Sequence, residues 1–261
     1  MELISPEMKV LADKRNDHPL ITVSVVSHLQ GNLLLHLLDD FQQYCADLIE
    51  VIITINIWES FDLDVSKYNY PIQIIRNENQ KGFASNHNSA FERHNGHFFC
   101  VINPDVRLVG NPFPVLIRCF DDPSLGSVAP QVFNPSGSQE NSARRFPTVF
   151  KLIRKAIGLD KPDYSIASEN LFVDWIAGLF MFFRGDVFIK IKGFDERYFL
   201  YYEDVDICWR LWKAGYKVML SPAISIIHDA KLQSHSNLKY LKWHISSLII
   251  YLTSTGLLRR R

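Results

Sequence analysis

The sequence predicts an α/β fold: a mostly parallel sheet with helices packed on its faces. Two observations point there. Short β-branched apolar runs alternate with segments of helical spacing through the first half of the chain. The 261 residues, 47% hydrophobic and 13% aromatic, also suffice for one large domain with a substantial core.

The first strand is LITVSVV (20–26), followed by GNLLLHLLDDF (31–41) with leucines at helical spacing. LIEVIITI (48–55) and PIQIIR (71–76) read as the second and third strands. FASNHNSAFERH (83–94) reads as a helix and HFFCVI (97–102) as the fourth strand. In such sheets ligands bind beyond the carboxyl ends of the strands. That singles out the loops at Ser27-His28, Asn56 to Glu59, Asn77 to Gly82 and Asn103 to Asp105. The second half is less regular. GSVAPQVF (126–133) reads as a strand and NPSGSQENSARRFP (134–147) as a loop. FVDWIAGLFMFF (172–183) reads as one buried strand with a glycine at its middle. A helix ending at Gly215, the strands KVMLS (217–221) and AISIIHD (223–229) and a terminal helix complete the chain.

Lys plus Arg and Asp plus Glu are both 28, so the formal charge is zero, which argues against a nucleic-acid partner. The cysteines Cys45, Cys100, Cys119 and Cys208 form no C-x-x-C pair, as suits buried reduced thiols of a cytoplasmic protein. The first 19 residues are polar and mixed in charge, without an apolar signal-peptide core. No apolar run reaches the roughly 18 residues a membrane span needs. The chain ends HISSLIIYLTSTGLLRRR. That is either a helix docked on the domain with a solvated basic tail, or a contact with an anionic membrane surface.

The stretch FLYYEDVDICWRLWKAG (199–215) sets three acids among aromatics. Counting i+3, i+4 and i+7 from Asp204 gives Ile207, Cys208 and Leu211, so Asp204 heads the apolar face of a helix. Asp206 lies i, i+4 from Arg210, the spacing of a surface ion pair. Glu203 and Asp204 complement the helix dipole, or offer a carboxylate as general base at a pocket mouth. In INPDVRL (102–108), Pro104 turns the chain and presents Asn103 and Asp105 at the sheet edge. A carboxylate there is an ordinary turn residue, or holds Mg2+ or Mn2+ together with a diphosphate. NENQKGFASNHNSAF (77–91) enters a helix, where Lys81 and free N–H groups face phosphate or merely close a loop. His228 ends an apolar strand, and Trp175 is either core or a platform for a sugar ring.

Taken in order, these pieces resemble the inverting glycosyltransferases of family 2, which have the GT-A fold. The resemblance runs from about residue 20 to 235. Its most specific part is WIAGLFMFFRGDVFIKIKGFDERYFLYYEDVDICWRLWKAGYKV (175–218). KGFASNHN, NPDV and SARRFP add likeness to the rhamnosyltransferase-like branch. It implies a transferase domain over 20–235, with a nucleotide-binding half (20–110) and an acceptor-side half (111–235). Residues 1–19 would be an N-terminal extension and 236–261 a C-terminal helix with a basic tail. It further implies that Asp204 is the catalytic base, and that Glu203, Trp175 and Arg144 bind acceptor. Ser27, His28, Asn56, Glu59, Lys81, Gly82, Asn86, Asn103 and Asp105 would line the donor site, with Asp105 and His228 on the metal. Asn103 stands where the family's metal motif has its first Asp. Arg145 is a further candidate for holding phosphate or acceptor.

The implied partners are Mg2+ or Mn2+, a dTDP- or UDP-sugar, and a saccharide or lipid-linked acceptor. Rhamnose is the sugar implied by the branch. The implied setting is surface polysaccharide assembly in the cytoplasm, with peripheral contact at the inner face of the plasma membrane. Two other readings are a nucleotidyltransferase and a non-catalytic relative that only binds sugar nucleotide or membrane. The Gly-rich N-terminal signature of the first is absent. The second is favoured by Asn103 and opposed by the presence of Asp105, Glu203, Asp204 and His228.

Overall fold

All seven residues of the strand Ile49–Ile55, β2, are buried. A β-branched run of this kind is stable only with both faces covered. Even its acid, Glu50, is satisfied inside, accepting a hydrogen bond from Thr22 Oγ1 at 2.6 Å. The computed structural model describes residues 20–148, 151, 163–164, 168–229 and 238–255. The N-terminal extension and the basic tail lie outside the described residues.

β1 (Ile21–Ser27) pairs in parallel with β2 and with β4 (Phe98–Ile102), and β3 (Ile72–Arg76) extends the sheet beyond β2. α1 (Gly31–Tyr44) links β1 to β2, and α2 (Phe83–Phe91) links β3 to β4. The chain runs outward from β1 to β3 and then returns to β1's other side. The carboxyl ends of β1 and β4 therefore diverge into a crevice, the usual binding site of such sheets.

Beyond β4 the sheet continues as β10 (Phe180–Arg184), β6 (Leu125–Phe133), β11 (Lys217–His228) and β5 (Val106–Leu108). β10 is antiparallel to both neighbours, whereas β11 runs parallel to β6. The two strands expected at 217–221 and 223–229 are one strand with a register shift between Ser221 and Ser225, around Pro222, which has no N–H for the ladder.

Strict alternation divides the core. Cys100, Ile102, Phe180 and Phe182 face one cluster with Leu34, Leu37 and Phe41 of α1 and Phe113 and Leu116 of α3 (Phe113–Cys119). Phe99, Val101, Met181 and Phe183 face the other. There they meet Ala84 of α2, Phe188 of α4 (Gly185–Lys190), and Ile207, Cys208 and Leu211 of α5 (Glu203–Lys213). Cys45, Cys100 and Cys208 are buried, and Cys119 partly so.

The single strand expected at 172–183 is three pieces. β8 (Leu171–Phe172) pairs with β11, and β9 (Trp175–Ile176) forms a separate ribbon with β7 (Ala143–Arg144). Only β10 joins the main sheet next to β4. The breaks fall where polar partners draw the chain away. Asp174 accepts from Phe146 N–H and Tyr164 OH, and Gly178 N–H donates to Asp204. The last helix, α6 (Leu238–Ser254), packs on the chain before α5: Trp243 stacks on Phe199 at 4.6 Å, and Tyr251 is buried beside Tyr202.

β5 is short and follows Asp105 directly. It is tied to α1 by Asp40, which receives both Arg107 Nε and Nη2 at 2.7 Å and Leu108 N–H at 2.9 Å. Asp40→Ala strands the Leu108 amide and the guanidinium. Urea unfolding should show a loss of about 2 kcal/mol; a loss within error would mean that β5 is held by its ladder alone.

Candidate functional site

At the carboxyl ends of β1 to β4 lies a pocket of about 200 Å3. His28, Asn56, Lys81, Asn86 and Asn103 line it, as the sequence suggested, closed by Phe199 and by Trp243 of α6. Asn56 is buried and fully engaged. Its Oδ1 accepts from Lys81 N–H at 2.9 Å and from Asn77 at 3.0 Å, and its Nδ2 donates to Lys81 O at 3.0 Å. Asn77 also donates to Asn86 at 2.7 Å. This amide network fixes the 77–82 loop, so Asn56 shapes the pocket rather than offering it a free amide. Burial, with Lys239 nearby, holds the His28 imidazole below its ordinary pKa.

Four expected lining residues do not line this pocket. One of them, Asp105, follows the lining residue Pro104 but faces His228 instead. Ser27 is fully buried, because strand alternation turns it into the sheet layer. Glu59 turns to the N-terminus of α1, accepting from Gly31 N–H at 2.9 Å, where the helix dipole favours an anion. Gly82 lies under the Phe199 backbone, and a Cβ there would sit 2.5 Å from Phe199 O. Its small size lets Phe83 N–H donate to that carbonyl at 2.9 Å.

A second pocket, of about 210 Å3, opens at the head of α5. Glu203 and Asp204 form part of its wall, with Trp175, Arg144 and Arg145 from the β7–β9 side and His244 from α6. Tyr201 and Tyr202 enter the helix with φ of 72° and 70°. Two successive bulky residues in the left-handed region are strained, a feature that concentrates at functional sites. The kink puts Phe199 and Leu200 in the first pocket and Tyr201 and Tyr202 in the second.

Asp204 Oδ2 accepts from Gly178 N–H at 3.1 Å, and Oδ1 from Val205 N–H at 2.8 Å. Burial raises its pKa; these two N–H groups and the Arg144 charge oppose the rise without cancelling it. Glu203 is 5% exposed, and its Oε2 has no hydrogen-bond partner. Burial, reinforced by the charge of Asp204, lifts its pKa well above the carboxylate range. Of the pair, Asp204 has the N–H donors that stabilise an anion and Glu203 favours the neutral acid. The Arg144 guanidinium lies over Trp175, 5.5 Å from the ring centroid, while Trp175 Nε1 donates to Arg145 O at 3.0 Å. Asp206 is not at the surface. Its side chain is 3% exposed and pairs with Arg210 at 2.7 Å, because Tyr198 and the chain before α5 cover it.

Asp105 and His228 also meet: His228 Nε2 lies 3.5 Å from Asp105 Oδ2. Nδ1 faces Glu140 Oε2 at 2.8 Å. Burial alone would lower the imidazole pKa, but the two carboxylates hold it up at about 9. Asp105 Oδ1 is buried without a partner. An orphaned carboxylate oxygen beside an imidazole fits a divalent cation that takes its remaining ligands from outside the protein. Among the described residues no three acid, His or Cys side chains close a cage by themselves.

Sequence reasoning missed Glu140, which lies 88 residues from His228 in a loop without a motif. It also missed Trp243 and His244, read only as part of a terminal helix, and the hydrogen bond from Gly178 N–H to Asp204.

Among curated proteins, the chain is similar to the rhamnosyltransferase WbbL of Escherichia coli (strain K12). Identity is 30% over 194 residues, covering 69% of this chain and 73% of that protein. It is also 30% identical over 164 residues to the N-acetylglucosaminyl-diphospho-decaprenol L-rhamnosyltransferase of Mycobacterium tuberculosis (strain CDC 1551 / Oshkosh). That match covers 58% of this chain and about half, 53%, of the relative. The family model described as "N-terminal domain of galactosyltransferase" matches residues 155–235. Among solved structures, GalNAc-T7 with UDP, GalNAc and Mn2+ superposes with a TM-score of 0.65 at 15% identity. It covers 85% of this chain and 45% of that one, and the likeness is one of fold.

A carboxyl whose folded pKa is raised stabilises the fold below its unfolded pKa, and that contribution is lost as pH rises through the folded pKa. For Glu203 the loss begins above about 4.5. The neutral variant Glu203→Gln should therefore gain stability relative to the unsubstituted protein as pH rises. Thermal unfolding across pH measures this; a constant offset would show that Glu203 ionises as it does in the unfolded chain.

Proposed function

The chain belongs to the rhamnosyltransferase-like glycosyltransferases of family 2 and has their GT-A fold, and we propose that it transfers rhamnose from a dTDP-activated donor, with inversion, to a hydroxyl of a lipid-linked saccharide. One observation carries this reading. A single strained turn, residues 199–204, walls both pockets and sets Asp204 in the wall of the second. A donor in the sheet-edge pocket and an acceptor in the acid pocket would meet there. The rhamnosyltransferase relatives support the sugar, and the name of the mycobacterial one, with its diphospho-decaprenol, supports the lipid-linked acceptor. The product would enter surface polysaccharide.

In this reading the donor diphosphate lies along the sheet edge between Lys81 and Asp105, with Asn86 and Asn103 in the pocket wall. Asp204 takes the proton of the acceptor hydroxyl as its oxygen bonds to the anomeric carbon. The bond to the diphosphate breaks on the opposite face, which inverts the centre. The two N–H groups on Asp204 aim the carboxylate, and its raised pKa makes it a better base. Glu203, held neutral, donates to an acceptor oxygen through the carboxyl end that has no partner. Trp175 offers an apolar face to a sugar ring, and Arg144 a charge to an acceptor phosphate.

Asp105 and His228 would hold Mg2+ or Mn2+, which when bound neutralises the charge developing on the departing diphosphate. Glu140 would fix the imidazole so that Nε2 points to the cation.

The reading is tested with a panel of dTDP-, UDP- and GDP-sugars with Mg2+ or Mn2+, scored for donor binding and nucleotide release. Selective use of dTDP-rhamnose is expected. Selectivity for another donor would replace the sugar, and binding of none by folded protein would favour a non-catalytic relative. Asp204→Asn should lower turnover about 100-fold or more while donor affinity is retained; near-normal turnover would remove Asp204 from the role. Glu140→Gln should weaken Mn2+ binding about tenfold, read as free Mn2+ by electron paramagnetic resonance. An unchanged affinity would leave Glu140 as a plain loop residue.

A further inference from the structure

α6 has two faces. The inward one is tied to the site: Trp243 stacks on Phe199, Ser247 Oγ donates to Leu200 O at 2.9 Å, and Tyr251 is fully buried. The outward one carries Leu241, Ile245 and Ile249, spaced i, i+4, i+8 in a single row. They are 55%, 49% and 56% exposed. Exposed Lys242 and Ser246 flank the row.

Charge indicates what covers this row. Residues 230–261 hold six of the 28 Lys and Arg and none of the 28 Asp and Glu. The rest of the chain is correspondingly acidic. An aliphatic row on a helix within a stretch of sequence that carries cations and no acids suits an anionic lipid surface, where side chains enter the headgroup boundary and cations meet lipid phosphates. A second copy fits poorly. Two such faces would bring like charges together about a twofold axis. Three half-exposed side chains also fall far short of the roughly 800 Å2 per partner of a stable interface. Among the described residues no helix is long and apolar enough to cross a membrane, so α6 would lie in the plane of the surface.

We propose that the Leu241–Ile245–Ile249 face of α6 is a docking surface for an anionic lipid bilayer. Its use rests on the lipid-linked acceptor of the proposed function. His244, next in sequence to Ile245, lines the acid pocket, and Trp243 lines the sheet-edge pocket. Docking through α6 therefore holds the acid pocket about one helix diameter, roughly 10 Å, from the lipid surface. The same helix braces the turn that carries Asp204.

The test is co-sedimentation of the full chain with phosphatidylcholine vesicles, with and without phosphatidylglycerol. Binding is expected only with the anionic lipid and should weaken as salt rises. The triple variant Leu241→Ser, Ile245→Ser, Ile249→Ser should bind about tenfold or more weakly, with thermal unfolding and donor turnover unchanged. Lys242→Glu, a single surface change, should weaken binding by itself and serves if the triple variant does not fold. No binding to anionic vesicles, or binding that survives both variants, overturns the proposal. So does a shift in oligomeric state on substitution, read by light scattering, which would assign the face to a second copy. Donor turnover without vesicle binding would overturn the surface and leave the transferase intact. Variant-sensitive vesicle binding without turnover of any donor would support the surface and overturn the transferase reading.

Discussion

The acid pocket depends on how one carboxylate is held. Asp204 is partly buried beside a second acid, the buried Glu203, and such a pair is tolerated only if one member is given donors and the other a proton. Gly178 and Val205 supply the donors. To do so, Gly178 lies outside the sheet, between β9 and β10, and Tyr201 and Tyr202 adopt left-handed backbone. The cost of that strain is met by packing: Trp243 on Phe199 and Tyr251 on Tyr202 clamp the turn from outside.

The same turn couples the two halves of the molecule. Its first residues close the sheet-edge pocket and its last ones open the acid pocket. Gly82 lets α2 begin directly against it, through the Phe83 amide on the Phe199 carbonyl. A shift of the turn would thus be felt at both pockets. The sheet supplies the fixed reference, since the crevice between the ends of β1 and β4 follows from strand order alone.

The third element is the Asp105–His228–Glu140 chain. β11 carries His228 past the short β5 that follows Asp105, and the pairing of His228 with Val106 sets the distance between imidazole and carboxylate. Glu140 enters from the loop after β6. Burial works against a charge on the imidazole, but the two acids that flank it favour the protonated form, which is why its pKa is raised.

Much of this was legible in the residues. The alternating runs specified the parallel half of the sheet, because β-branched strands buried on both faces leave little choice of architecture. Helical spacing put Asp204 at the head of an apolar face, and the Asn-Pro-Asp turn put Asp105 at a strand end. These are local facts, governed by periods of two and 3.6 residues. What only the tertiary structure decided is partnership at long range. FVDWIAGLFMFF reads as one strand, yet it divides because Asp174 and Gly178 answer to groups elsewhere in the fold. Ser27 is the last residue of β1 and turns inward, and Glu59 sits in the expected loop but turns to a helix end. Asp206 is buried because Tyr198 covers it. Glu140 reaches His228, and Trp243 and His244 reach the two pockets, across separations at which no spacing rule operates. Local period determines which face a residue occupies; only packing determines what that face meets.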